Sequence, residues 1–231
     1  MEEYSVYNDI SKRTNGEFYL GVCGPVRTGK STFIKKFMEM FVLPGIRDEN
    51  DRKRAMDELP QSAEGKTIMT TEPKFIPKEA VKINLFDGND IKVRMVDCVG
   101  YIVEDAGGLM EGERERMVMT PWSEEPMPFA KAAEYGTKKV IHDHSTIGIV
   151  ITTDGSFGDI SRQSYKAAED KTISELKSIG KPFIVIPVFS SIFRIATSLP
   201  NRSIITPVSV LSQRSVTVSS FPANMPNVFF E

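Results

Sequence analysis

The residues best able to do chemistry stand together near the start of the chain: Gly24, Pro25, Val26, Arg27, Thr28, Gly29, Lys30 and Ser31. Two glycines bracket the loop, and a cation and a hydroxyl follow at once. This is the spacing G-x-x-x-x-G-K-[ST] of a phosphate-binding loop, or P-loop. Its backbone N–H groups wrap a phosphate chain, and the glycines permit the tight turn and close approach. Lys30 supplies a point charge for the β- and γ-phosphates, and the Ser31 hydroxyl is a Mg²⁺ ligand. A nucleotide triphosphate with Mg²⁺ is the expected cofactor. Its binding set is Gly24 to Ser31, the following Thr32, and Gly100.

Gly100 belongs to a second pattern, Asp97-Cys98-Val99-Gly100. In a P-loop protein a carboxylate at the end of a neighbouring strand holds Mg²⁺, and the glycine N–H can sense the γ-phosphate. Between the two motifs lies the polar stretch Lys66 to Pro73. A switch loop there would order on the γ-phosphate through a threonine. Thr70 and Thr71 are the candidates, Thr67 is a third, and a plain solvated loop is the alternative. Lys30, Thr70, Thr71 and Asp97 form the expected catalytic set, with Ser31 and Asp97 as metal ligands. Two things are missing. Tyr101 stands where Ras-like enzymes carry a water-orienting Gln. The guanine-reading patterns N-K-x-D and T-K-x-D are also absent, which favours adenine, hence ATP.

Other reactive residue types have plainer roles. Cys23 and Cys98 are expected to be small buried residues at strand ends. His142 and His144 are expected at a helix end rather than on a metal, and Trp122 as an anchor for the segment after Gly100. The stretch from Arg47 to Glu58 is expected to be a solvated face.

The elements that must position these residues alternate. Phe18 to Cys23 is a buried strand, and Ser31 to Leu43 has the rhythm of an amphipathic helix stopped by Pro44-Gly45. Val81 to Phe86 and Ile91 to Asp97 flank a hairpin turn. The spacing further predicts a helix from about Phe129 to His142, a strand over Ile147 to Thr152, a helix over Ser164 to Ile179, and a strand from Pro182 to Ile186. From Val99 to about Met127 no period is evident. The order predicts an α/β sandwich with a mostly parallel sheet and one antiparallel edge strand. With the loop motif it is a P-loop NTPase.

The 231 residues include 40% apolar and 26% charged types, the balance of an ordinary globular domain. A net charge of -2 gives no electrostatic case for nucleic-acid binding. Two cysteines fit a reducing compartment. No apolar run is long enough for a transmembrane segment, and the first residues match neither a secretory signal nor a transit peptide. Composition changes after Ile186. From Pro187 to Glu231 the only charges are Arg194, Arg202, Arg214 and Glu231. The chain is therefore divided into a P-loop ATPase domain, 1–186, and an unassigned tail, 187–231. The tail can be a disordered Ser/Pro-rich segment, a β-rich extension, or the product of a shifted reading frame.

Taken together, GPVRTGKSTFIKKFME, DELPQS, GKTIMTTEPKFIP, VDCVGY, HSTIG and GKPFIVI resemble the stage IV sporulation protein A family of endospore-forming Firmicutes, from about Tyr4 to Ile186. The resemblance implies a GTPase-like three-layer fold that hydrolyses ATP, with Lys30 as the phosphate lysine, Thr70 and Thr71 as γ-phosphate sensors, and Asp97 at the magnesium position. It implies self-assembly into the polymeric basement layer of the spore coat, on the mother-cell cytoplasmic side of the forespore outer membrane. It also implies partners: a small amphipathic membrane-bound sporulation peptide and other spore coat proteins. Family members continue into a middle and a C-terminal domain, which are expected to be missing here. Two rivals stand beside it: a GTPase switch of ribosome-assembly or signalling type, and a truncated, non-enzymatic remnant.

Overall fold

The computed structural model describes residues 16–46, 48–60, 72–84, 90–156 and 158–189. Strand β1 (Glu17–Cys23) runs into the glycine loop and helix α1 (Lys30–Phe37). A π-turn (Met38–Val42) and a 3-10 turn (Leu43–Gly45) extend α1 to the predicted stop at Pro44-Gly45. Helix α2 (Glu49–Asp57) is capped by Asp48, whose carboxylate accepts from the Asn50 and Asp51 N–H groups. Then come β2 (Lys74–Asn84), β3 (Asp90–Asp97), the short strands β4 (Met110–Glu111), β5 (Arg114–Glu115), β6 (Met117–Thr120) and β7 (Ser123–Pro128), helix α3 (Phe129–His142), β8 (Ile147–Thr153), helix α4 (Arg162–Ser178) and β9 (Phe183–Val188).

The main sheet has the order β2-β3-β1-β8-β9. All its neighbours are parallel except β2 against β3, so the antiparallel strand lies at an edge, as predicted. The central strands are buried on both faces, which explains their nearly unbroken apolar runs. Ile149 and Ile151 point to one side with Val22, Val93 and Met95, where α1 and its extension bring Ile34, Met38 and Val42. Val150, Cys23 and Val96 point to the other side, against Val140 and Ile141 of α3 and Tyr165, Ala168 and Leu176 of α4. Helices thus cover both faces of the sheet.

Two elements depart from the sequence expectation. Strand β2 begins at Lys74 rather than Val81, because a bulge interrupts it. Ile76 pairs with Met95 and Val81 with Val93, so Pro77 to Ala80 all stand opposite Arg94. This breaks the alternation that would have revealed the strand. The segment after Val99 forms two small hairpins, β4–β5 and β6–β7. Trp122 does anchor it: the indole stacks on Tyr135 of α3, with ring centroids 5.3 Å apart. Lys181, just before β9, fastens the end of α3 by donating to the carbonyls of His142 at 3.1 Å and Ser145 at 2.6 Å. Among the described residues no helix is long and apolar enough to cross a membrane.

Candidate phosphate-binding site

The glycine loop lies at the carboxyl end of β1, beside the ends of β3 and β8. Gly24 has φ +128°, and a Cβ there would run into the backbone oxygen of Ile151 on β8, so neither shape nor space admits a side chain. The loop closes on itself through Thr28, whose buried hydroxyl donates to the Pro25 carbonyl at 3.0 Å. Arg27 takes φ +60°, an unusual setting for a residue with a side chain. Gly29, left-handed, starts α1, and no side chain caps that first turn. The turn is therefore open to an anion from the loop side.

Lys30 is buried, at 5% exposure, and its ammonium donates to the Pro25 carbonyl at 2.5 Å. Burial pushes its pKa down, while Cys98 and Asp97 nearby act the other way. Ser31 donates from Oγ to Asp97 Oδ2 at 2.9 Å. The second carboxylate oxygen, Oδ1, is buried without a hydrogen-bond partner. Burial raises the Asp97 pKa above the usual carboxylate range, against the pull of Lys30 and Ser31. A hydroxyl and a carboxylate with one orphaned oxygen form a hard-oxygen donor set, which fits Mg²⁺.

The loop and the Asp97–Gly100 turn are stitched together like short paired strands. The N–H of Val26 donates to the Tyr101 carbonyl at 2.9 Å, and that of Tyr101 to the Gly24 carbonyl at 3.2 Å. The structure thus brings Gly24 to Ser31, Asp97 and Gly100 into one place, and Thr32 follows in the first turn of α1. Thr67, Thr70 and Thr71 lie outside the described residues. Tyr101 faces the core, 2% exposed, and its hydroxyl donates to Glu175 at 2.9 Å. Cys23 and Cys98 are both buried thiols; burial raises both pKa values, that of Cys98 to about 11. His142 pairs with Glu175 at 2.9 Å, the ring of His144 packs edge-on against Phe75, and no cluster of metal-ligating side chains is found among the described residues.

Sequence reasoning missed one residue at the site. Thr137, fully buried on α3, accepts a hydrogen bond from the Gly100 N–H at 3.1 Å and donates to the Ala133 carbonyl at 2.7 Å. A threonine on the apolar face of a helix was the available signal.

Fold and site define a mostly parallel α/β protein whose polar loops gather at the carboxyl ends of its central strands. Residues 1–201 match the family "Stage IV sporulation protein A, ATPase domain", and the chain belongs to that family. It is 61% identical over 186 residues to the stage IV sporulation protein A of Bacillus subtilis (strain 168), covering 80% of this chain and 38% of the relative. The Bacillus anthracis protein is 59% identical over 186 residues, with the same coverage. That of Clostridioides difficile (strain 630) is 61% identical over 182 residues, covering 79% of this chain and 37% of the relative. The chain thus spans well under half the length of these curated relatives. The family match establishes a sporulation-related ATPase domain.

Proposed function

We propose that the chain binds Mg·ATP at the Gly24–Ser31 loop of a GTPase-like P-loop fold and hydrolyses it in the service of spore coat assembly. The observation that carries this is the Ser31–Asp97 pair, with Asp97 Oδ1 buried and unpaired beside the Lys30 ammonium. An unpaired buried carboxylate oxygen is costly unless something binds it.

Ser31 and Asp97 would hold Mg²⁺, which when bound neutralises charge across the β- and γ-phosphates. The amides of the loop and the first turn of α1 would grip the phosphate chain. Lys30 would leave the Pro25 carbonyl for a phosphate oxygen, exchanging one acceptor for a charged one. Thr70 and Thr71 would close on the γ-phosphate and orient the attacking water, because Tyr101 is committed to Glu175. Catalysis would then rest on positioning and electrostatics. ATP is favoured over GTP because the sequence offers no aspartate motif for the guanine edge. By the family relationship, the product would be a polymeric layer at the forespore surface in the mother cell, with the small membrane-bound sporulation peptide and other coat proteins as partners.

Competition against a fluorescent ATP analogue tests this. ATP should displace the label at much lower concentration than GTP. Lys30→Ala should weaken binding at least about tenfold, roughly 1.4 kcal/mol. Preferential displacement by GTP would favour a GTPase switch, and no binding by the parent chain would leave a non-enzymatic remnant.

A further inference from the structure

In the candidate site the Gly100 amide is bound by a side chain of helix α3. It donates to Thr137 Oγ1 at 3.1 Å, and that hydroxyl in turn donates to the Ala133 carbonyl, so both are satisfied inside α3. The opposite side of Gly100 presses on the loop: a Cβ there would stand 2.6 Å from the Lys30 Nζ. Gly100 is therefore wedged between the group that faces phosphate and a helix that binds its amide. One N–H makes one good hydrogen bond. It can serve Thr137 or a terminal phosphate, but not both.

Granted the nucleotide site proposed above, we propose that Thr137 is a positioning residue that sets the preference between nucleotide triphosphate and diphosphate. Its hydroxyl competes with the γ-phosphate for the Gly100 N–H and so stabilises the turn without triphosphate. The competition has a definite sign. Removing the hydroxyl leaves the buried Gly100 N–H with only the weakly accepting Cys98 thiol in the free and diphosphate states, but with a phosphate oxygen in the triphosphate state. That destabilises only the former.

The test compares affinities for Mg·ADP and for a non-hydrolysable Mg·ATP analogue in the parent, Thr137→Val and Thr137→Ser. The ratio should move at least about fivefold toward the triphosphate in Thr137→Val and stay near the parent's in Thr137→Ser, which keeps the hydroxyl. A structural role alone would weaken both affinities together. An amide NMR signal of Gly100 in the parent gives a second measure that needs no substitution. It should shift with the triphosphate analogue and hardly at all with ADP. An unchanged ratio in a folded Thr137→Val, or a Gly100 signal indifferent to the γ-phosphate, overturns the proposal while leaving nucleotide binding intact. Failure of the parent to bind either nucleotide refutes the phosphate site itself.

Discussion

Burial works against the charged forms of both Lys30 and Asp97, and each favours the charge of the other. For Asp97 the sign of the pH dependence follows directly. With its pKa raised above the ordinary value of about 3.9, the group stabilises the metal-free fold at low pH, and that contribution is lost as pH rises through the raised value. Metal binding needs the carboxylate, so affinity for Mg·ATP should fall as pH drops through the same range, above about pH 4, where ordinary aspartates stay ionised. Calorimetric titrations at several pH values check this: Asp97→Asn should show weak Mg²⁺ dependence and no such slope. Thr70 and Thr71 should behave differently. Replacing both with Ala should leave ATP affinity within a few-fold and cut hydrolysis by about tenfold or more, the pattern of an interaction that tightens in the transition state. Single-turnover assays would separate the two; equal loss of binding and turnover would make these threonines shapers of the site. That Gly24 to Ser31, Asp97 and Gly100 come together was legible because two short local patterns at adjacent strand ends place them there. Thr137 was not, because its bond to Gly100 spans 37 positions and no local pattern announces it.

Elements were readable where periodicity was clean. Helix α3 begins and ends where its apolar rhythm predicts, and β8 differs from expectation by one residue, since its apolar run is bounded by turn residues. The start of β2 and the hairpins β4–β7 were not readable: a bulge or strands of two to six residues leave too few repeats to count. The loop offers a sharper test of how an element dictates a residue. Gly24 and Gly29 both have positive φ, but an added Cβ meets the Ile151 backbone at Gly24 and nothing within 4 Å at Gly29. Gly29→Ala should therefore cost only the left-handed penalty, about 1–2 kcal/mol. Gly24→Ala must also displace the loop from β8, and should cost clearly more and abolish nucleotide binding. Urea unfolding of the two variants provides the comparison.

At the scale of the whole molecule, the two apolar clusters and the five strands of the main sheet found among the described residues run from Glu17 to Val188. The composition break after Ile186 falls inside β9, whose Pro187 and Val188 stand in register with Thr152 and Thr153. A chain ended after Ile186 loses the last two pairs at the end of β8 and should melt about 2–4 °C below one ended after Phe189, on the scale of about 1 kcal/mol for a domain of this size. Scanning calorimetry of the two truncations provides the comparison.

The bulge in β2 has a consequence for association. A strand can add itself to a sheet only along an unbroken row of outward N–H and C=O groups. On the β2 side that row is cut by Pro77 to Ala80 into stretches of three and four paired residues, with a proline and the charges of Lys78 and Glu79 in the gap. On the β9 side, Phe183 to Ile186 form a continuous stretch, Pro187 then lacks an N–H, and Ile184 is 45% exposed. Among the described residues the two edges of the sheet are thus blunted differently: β2 by a four-residue bulge, β9 by a proline that removes one backbone donor near its end.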